Sequence, residues 1–97
     1  MDFKQLDPVL HSQLRLAVVS ILISVKEADF NFLKDKTNAT SGNLSVQLTK
    51  LKDAGYIEIN KKFHNNYPQT TCEITPEGIS AFEKYVEALK SYMNFRP

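Results

Sequence analysis

The sequence has few of the residues that disulfide bridges and metal sites require. Among its 97 residues there is one cysteine, Cys72, so no disulfide can form within the chain. The two histidines, His11 and His64, lie far from Cys72 and from each other, and no spacing typical of a zinc site results. We therefore expect no bound metal, and we interpret Cys72 as a buried, unreactive thiol.

Motifs of catalysis are missing as well. The three glycines, Gly42, Gly55 and Gly78, are isolated from one another, so no glycine-rich loop can cradle a phosphate group. No motif groups a serine or cysteine nucleophile with a histidine and an acid. The sequence therefore predicts a protein that is not an enzyme and that needs no cofactor.

No apolar run is long enough to cross a membrane. The longest, residues 14–25, is interrupted by Arg15, Ser20 and Ser24 and is shorter than the stretch of about 20 apolar residues that a bilayer requires. The opening residues, MDFKQLDP, lack the basic segment and the apolar run of a signal peptide. We therefore expect a cytoplasmic protein with no membrane partner.

The chain also carries little net charge. Twelve lysine and arginine residues stand against eleven aspartates and glutamates, which gives a formal net charge of +1. A strongly basic total would have indicated a nucleic-acid partner, so any such argument must rest here on the local distribution of charge. The composition is that of an ordinary globular chain, with 42% hydrophobic and 24% charged residues, and its length suits one domain spanning residues 1–97.

Apolar residues at helical spacing predict three helices in the first half of the chain. Asp7-Pro8 and Ser12 are two candidate starts for the first helix, because Asp and Ser cap helices and Pro fits a first turn. A short connection at residues 26–28 separates the first helix from the second. Gly55 ends the third, since glycine tolerates the left-handed backbone of a helix stop. The helices are predicted from residue 8 or 12 to residue 25, from residue 30 to about residue 36, and from residue 40 or 41 to residue 54.

The second half predicts a β-hairpin followed by a last helix. Residues 56–63 and 70–74 are rich in strand-forming side chains, and the polar segment HNNYPQ between them predicts a hairpin with a rather long loop. Thr75-Pro76-Glu77 supplies a cap, a first-turn proline and a first-turn carboxylate for a helix over residues 76–95. The order helix, helix, helix, strand, strand, helix is mainly α with a hairpin, and is that of a helix-turn-helix with a β-wing.

The third predicted helix has two different faces. Leu44, Leu48 and Leu51 form a stripe that must face the core. The opposite side is small, polar and lightly basic, and comprises Gly42, Asn43, Ser45, Val46, Thr49, Lys50, Lys52 and Asp53. Such a face can enter a DNA major groove, where Ser, Thr and Asn bind base edges or phosphates and a valine contacts a thymine methyl group. Periodicity alone fits equally well an ordinary amphipathic helix with one misplaced valine.

Local charge favours the DNA interpretation. Residues 40–64 carry four lysines against two acids, and residues 34–36 add one more net positive charge. The rest of the chain is correspondingly negative. Because the excess is small, any single lysine is also explained as a solvated surface residue.

The segment GNLSVQLTKLKDAGYIEINKKF, followed by TTCEITPEGISAF, resembles winged helix-turn-helix transcriptional regulators of the MarR/ArsR-like kind, and in particular their small single-domain group. The most specific parts are L-x-x-L-x-x-A-G-Y-I, ending at Ile57, and I-T-P-E-G over residues 74–78. The resemblance covers nearly the whole chain. It implies sequence-specific binding of double-stranded DNA, usually as a homodimeric repressor. It also implies that the residues facing the major groove are Ser41, Gly42, Asn43, Ser45, Val46, Thr49 and Lys50.

The predicted wing departs from that family. Wings of this kind commonly carry arginines at the tip, which reach toward the minor groove, whereas the tip here has none. Lys61, Lys62 and His64 are the nearest basic residues. We therefore expect the wing to contact mainly phosphate, with a shallower salt dependence than an arginine wing would give.

Two neighbouring apolar stripes run along the last predicted helix. One comprises Ile79, Phe82, Val86, Leu89 and Met93, and the other comprises Ala81, Tyr85, Ala88 and Tyr92. Because one stripe suffices to dock a surface helix, the second predicts contact with a symmetry mate. The alternative is a single wide core face with tyrosines at its rim. The predicted dimer interface comprises Ala81, Tyr85, Ala88, Leu89 and Tyr92.

Two functions from different classes follow. The first is a homodimeric DNA-binding regulator, with an unidentified small-molecule effector as a further partner and the dimer interface as its pocket. The second is a winged helix that binds another protein and not DNA, which the near-neutral charge and the arginine-free wing favour.

Overall fold

The computed structural model describes residues 2–97. Its elements are α1 (Gln13–Val25), β1 (Glu27–Asp29), α2 (Phe30–Thr37), α3 (Ser41–Asp53), β2 (Ile57–His64), β3 (Tyr67–Ile74) and α4 (Pro76–Met93). The predicted order of three helices, a hairpin and a last helix is confirmed, with one short strand added between α1 and α2. No helix in residues 2–97 combines the length and the apolar character that crossing a bilayer demands.

The core is built around α1, which contacts the other three helices and strands β1 and β3. Val18, Val19 and Leu22 of this helix are fully buried. Of its two predicted starts, Ser12 is the observed one, because it occupies the cap position. Asp7 closes a separate turn instead, since its carboxylate accepts hydrogen bonds from the backbone N–H groups of Val9 and Leu10 at 2.8 and 3.3 Å.

Helices α2 and α3 form the predicted helix-turn-helix. Asn38 ends α2 in the left-handed conformation with φ of 56°, which asparagine tolerates better than most residues. Thr40 then caps α3, where its hydroxyl accepts a hydrogen bond from the backbone N–H of Asn43 at 3.2 Å. The leucine stripe of α3 is buried as predicted, and Gly55 follows the helix with a φ of 82°.

Strand β1 was not predicted from the sequence. It pairs antiparallel with β3, with Ala28 opposite Cys72, and gives a three-stranded sheet in the order β1-β3-β2. A run of 3 residues is too short for an in-out alternation to be visible in the sequence, so only the pairing partner defines it. Cys72 is fully buried in the central strand, as predicted, and burial raises the pKa of its thiol to about 11.

The wing is tighter than its sequence suggested. The register of β2 with β3 continues to His64 opposite Tyr67, so the predicted long loop is wrong. Only Asn65 and Asn66 lie outside the ladder, and both have positive φ, 50° and 66°. Two left-handed residues are what a type I′ turn needs, and asparagine is among the few residues that adopt this conformation cheaply.

The start of α4 is joined closely to the end of α3. The Thr75 hydroxyl accepts a hydrogen bond from the backbone N–H of Gly78 at 3.0 Å and donates one to the carbonyl of Gly55 at 2.6 Å. At Gly78 a Cβ atom would lie 2.2 Å from the carbonyl oxygen of Tyr56. Only glycine therefore allows α4 to approach the α3–β2 junction this closely.

The structure corrects the assignment of the two stripes on α4. Ala81, Tyr85 and Ala88, which were predicted at a dimer interface, are buried within the protomer at 9%, 5% and 5% exposure. The small alanines allow close packing, and the Tyr85 hydroxyl lies 3.1 Å from Nδ1 of His11, so its polar end has a partner beneath the N-terminal segment. The other, outward stripe is exposed at its ends, where Ile79 is 41% and Met93 65% exposed, and is partly buried between them at Phe82, Val86 and Leu89.

Tyr92 and Leu89 lie nearer the surface. The Tyr92 hydroxyl donates to the carbonyl of Lys4 at 2.7 Å, and its ring lies 5.2 Å from that of Phe3. Leu89 is half-buried on the outward stripe. The N-terminal segment therefore covers one side of the second half of α4 and leaves the other side open.

Candidate nucleic-acid interface

One face of α3 points away from the protein along its whole length. The leucine stripe fixes the rotation of the helix, because Leu44, Leu48 and Leu51 are at most 2% exposed. The seven residues that the family resemblance implied would face the major groove are all exposed, namely Ser41, Gly42, Asn43, Ser45, Val46, Thr49 and Lys50. The structure thus brings this predicted set together on one surface.

Two residues of this face have no role inside the protein. The side chain of Val46 is 52% exposed, although valine loses helix stability to its branched Cβ. Gly42 has no atom within 4 Å of the position that a Cβ would take, and its φ is not left-handed. Neither residue is therefore explained by packing or by backbone conformation. A glycine and a valine here leave a low, partly apolar surface that a partner can approach closely.

The polar groups of this face are ordered by hydrogen bonds within α3. The Thr49 hydroxyl donates to the carbonyl of Ser45 at 3.0 Å, which leaves its oxygen lone pairs directed outward as acceptors. Nε2 of Gln47 donates to Oδ1 of Asn43 at 3.1 Å. Of the two ion pairs found among residues 2–97, neither includes Lys50. Its ammonium group is available to a phosphate.

The wing presents exposed basic residues on both of its faces. Lys61, Lys62 and His64, the wing residues predicted to contact DNA, are all exposed. Consecutive strand residues point to opposite faces, so Lys61 and Lys62 cannot contact the same surface. The ammonium group of Lys62 lies 3.1 Å from Oε1 of Glu27 on β1, which is on the far side of the central strand β3. Lys61 is thus the freer of the two lysines.

Sequence reasoning missed two aromatic residues at the wing tip. Phe63 is 78% and Tyr67 75% exposed, although both are large and apolar. They pair across the ladder with Pro68 and His64 respectively, which places one on each face of the wing. The sequence did contain a signal for them, since an aromatic residue lies close to the Asn65-Asn66 turn on either side. Exposed rings can stack on sugars and bases, where this wing lacks arginine.

The comparison with protein families decides the identity of this arrangement. The model described as a winged helix DNA-binding domain matches residues 14–93, which include every element from α1 to α4 except the first residue of α1. The chain belongs to this family. The family is non-enzymatic, which agrees with the absence of catalytic motifs in the sequence.

Individual relatives of this winged-helix domain are archaeal and bacterial. An uncharacterised protein of Methanocaldococcus jannaschii is 33% identical over 78 residues, which cover 80% of this chain and 85% of that protein. A transcriptional regulator homologue from Pyrococcus horikoshii OT3 superposes with a TM-score of 0.83 at 24% identity, covering 89% of this chain and 85% of that one. A MarR-family transcriptional regulator from Silicibacter pomeroyi gives a TM-score of 0.66 at 15% identity, over 92% and 62% of the two chains. These superpositions confirm the predicted MarR-like fold.

A cavity lies between the N-terminal segment and α4, away from the outward face of α3. It is open to solvent, has a volume of about 850 Å³, and is lined by the N-terminal turn, the α3–β2 junction and the first half of α4. Leu6, Val9 and Ala81 supply apolar walls, while Tyr56 and Lys84 supply polar groups. The sequence had predicted an effector pocket at a dimer interface, whereas this cavity belongs to one protomer.

Proposed function

We propose that this winged-helix protein is a sequence-specific regulator of transcription that binds double-stranded DNA as a homodimer and represses the genes it controls. The observation that carries this proposal is the outward face of α3. Val46 lies exposed there among Asn43, Ser45, Thr49 and Lys50, on a helix whose rotation three buried leucines fix. Its side chains are short, and they combine hydrogen-bonding groups with one apolar group. Such a surface matches the edges of base pairs in a major groove.

In this proposal α3 lies in the major groove with its N-terminal half nearest the bases. Val46 contacts a thymine methyl group, and Asn43 and Ser45 bond base edges. Ser41, Gly42 and Thr49 border this contact, and Lys50 binds a phosphate. The low surface at Gly42 allows the helix backbone to approach the DNA.

The wing lies on the adjacent DNA backbone. Lys61 is placed to contact a phosphate, and Phe63, on the same face of β2, is placed to pack against a sugar. His64 lies on the opposite face, with Lys62. Lys62 contributes less, because it is paired with Glu27. The interface then contains few cations, which agrees with a net charge of +1 and predicts modest salt dependence.

The outward stripe of α4 supports the homodimer. Ile79, Phe82, Val86, Leu89 and Met93 line a helix of 18 residues, about 27 Å long, and remain wholly or partly exposed in the protomer. Pairing of two such stripes about a two-fold axis buries them and brings two α3 helices to one side. Two recognition helices must be about 34 Å apart to enter successive major grooves. Of the interface first predicted, Leu89 fits this arrangement, whereas Tyr92 lies on the side of α4 that the N-terminal segment covers.

The cavity beside Tyr56 is the proposed site of a small-molecule effector. It borders both Tyr56, which follows α3, and α4, which carries the dimer surface. A ligand held there contacts both elements, and can change their relative position. Its volume of about 850 Å³ is within the usual range of ligand pockets.

A DNA titration with a matched pair of valine variants tests the proposed function. Fluorescence anisotropy on genomic fragments at two salt concentrations should show binding that survives the higher salt for some fragments only. Val46→Ala should weaken that specific binding about fivefold or more without any loss of stability, since alanine favours the helix. Val25→Ala, at a position that is 44% exposed on α1, should change neither. Absence of binding at low salt would instead favour the protein-interaction module.

A further inference from the structure

The side-chain amide of Gln47 is oriented by an arginine from a different helix. Nη1 of Arg15, on α1, donates a hydrogen bond to Oε1 of Gln47 on α3. A guanidinium group has donors only, so the atom that faces it must be the oxygen of the amide. The two ends of a glutamine amide are otherwise hard to distinguish, and here the chemistry of the partner resolves them.

This orientation is passed on to Asn43. Because Oε1 of Gln47 faces Arg15, its Nε2 faces the other way and donates to Asn43 at 3.1 Å, one helical turn earlier. An NH₂ group can only donate, so the atom of Asn43 that receives this bond must be Oδ1. Nδ2 of Asn43 is left without an intramolecular acceptor among the described residues, on the exposed face of α3.

Arg15 is itself fixed in place. Its Nε donates to the carbonyl of Val9 at 2.6 Å, and Nη2 lies 3.4 Å from the carbonyl of Pro8. Both carbonyls belong to the N-terminal turn that the Asp7 carboxylate closes. The guanidinium group is half-buried, where hydrogen bonds are less exposed to competition from water. A continuous series of bonds thus runs from this turn to the outward face of α3.

We infer that Arg15 and Gln47 are positioning residues that determine base specificity at one position of the DNA site. They hold the Asn43 amide so that its free Nδ2 donor points to the DNA. At the base that Asn43 contacts, the protein then prefers an edge with acceptors, such as N7 and O6 of guanine, over the N4 donor of cytosine. Neither Arg15 nor Gln47 touches that base. The inference rests on the proposed function, because it assigns the way in which α3 reads DNA.

The substitution Gln47→Glu separates this role from a merely structural one. Glutamate is nearly isosteric with glutamine and keeps an acceptor for Arg15, but its carboxylate has no donor. The side chain at position 47 can then bond Asn43 only by accepting from Nδ2. The amide of Asn43 must turn over, and its Oδ1 acceptor points to the DNA.

The test uses the full chain and the duplex that the wild-type protein selects from a randomised pool. Asn43→Ala first identifies the base pair concerned, because preference is lost at that pair alone. At this pair the wild type should prefer G·C to the reversed C·G by roughly tenfold, and Gln47→Glu should invert the preference. The added negative charge weakens binding to all duplexes alike. The ratio of the affinities for two duplexes of equal composition therefore isolates the effect of the Asn43 amide orientation.

A second variant, Arg15→Met, tests the same inference if Gln47→Glu does not fold. Arg15→Met removes the donor that orients Gln47, so the preference for G·C over C·G should fall toward unity without inverting. Thermal unfolding verifies that each variant is folded. Unchanged G·C preference in folded Gln47→Glu or Arg15→Met protein would overturn the inference while leaving the proposed function intact. A wild-type protein that selects no sequence would overturn the proposed function and, with it, this inference.

Discussion

The hydroxyl of Tyr56 donates a hydrogen bond to the carboxylate of Asp7, 49 residues earlier in the chain. This bond ties the junction after α3 to the turn that precedes α1. The hydrogen bond, burial of the ring and the negative charge of Asp7 all favour the protonated phenol. Together they raise the pKa of Tyr56 from 10.0 to about 12.

This pKa shift predicts a change in stability at alkaline pH. Since the folded pKa lies above the unfolded one, the bond contributes fully below pH 10 and its contribution is lost as the pH rises toward about 12. Tyr56→Phe should lower the free energy of unfolding by about 1 kcal/mol at pH 7, after allowance for partial exposure of the pair. Urea unfolding at pH 7 and pH 11 should show a smaller difference between variant and wild type at the higher pH. Tyr67→Phe, on the exposed wing, should match the wild type at pH 7.

The two glycines at positions 78 and 42 should respond oppositely to alanine. Gly78→Ala forces a Cβ against the carbonyl of Tyr56, so we expect a loss of about 3 kcal/mol in the free energy of unfolding. Gly42→Ala meets no neighbouring atom, and should leave stability equal or up to about 1 kcal/mol higher. In the DNA titration, however, Gly42→Ala should bind several-fold more weakly, because its methyl group lies between helix and DNA. Equal DNA binding by Gly42→Ala and wild type would argue against the close approach.

Adjacent lysines of the wing provide a test of its orientation. Lys61→Gln should lower the slope of log affinity against log salt by about 1, as expected for loss of one phosphate contact. Lys62→Gln should change the slope less, since the Lys62 ammonium is paired with Glu27 and lies on the other face of the strand. The measurement is a series of DNA titrations between low and moderate salt. Equal reductions would show that both faces of the wing meet phosphate.

The outward stripe of α4 predicts the oligomeric state. Val86→Glu places a charge in the middle of that stripe, and in sedimentation at micromolar concentration it should give a folded monomer from a dimeric wild type. Tyr85→Phe lies on the buried stripe and removes the contact with His11, so it should reduce stability and leave the dimer intact. A monomeric wild type, or a Val86→Glu protein that remains dimeric, would contradict the proposed interface.

Local signals in the sequence predicted most of the fold and the rotation of α3. The leucine spacing, the stop at Gly55 and the Thr75-Pro76 cap each act within one or two turns of chain, and each was confirmed. The seven exposed residues of α3 follow directly from that rotation. Their contacts with DNA stay a prediction.

Features that depend on distant pairing were not visible in the sequence. Strand β1 is defined by its pairing with β3, where Ala28 lies opposite Cys72. Nothing within the three residues of β1 predicts this pairing. The two stripes of α4 have the same helical period, so periodicity could not decide which one packs inward. That choice depends on Gly78 and on the contact between His11 and Tyr85. The bond from Arg15 to Gln47 joins residues 32 positions apart, and no motif marks it.

The shared oxygen of Thr75 has a consequence for the geometry of a dimer. This hydroxyl bonds both the carbonyl that follows α3 and the amide in the first turn of α4, and so couples the position of one helix to that of the other. In the proposed dimer, α4 of each protomer therefore acts as a lever arm for its α3. The angle at which the two α4 helices cross would then set the number of base pairs between the two half-sites, and a ligand that alters this angle would shift the operator spacing that the protein accepts.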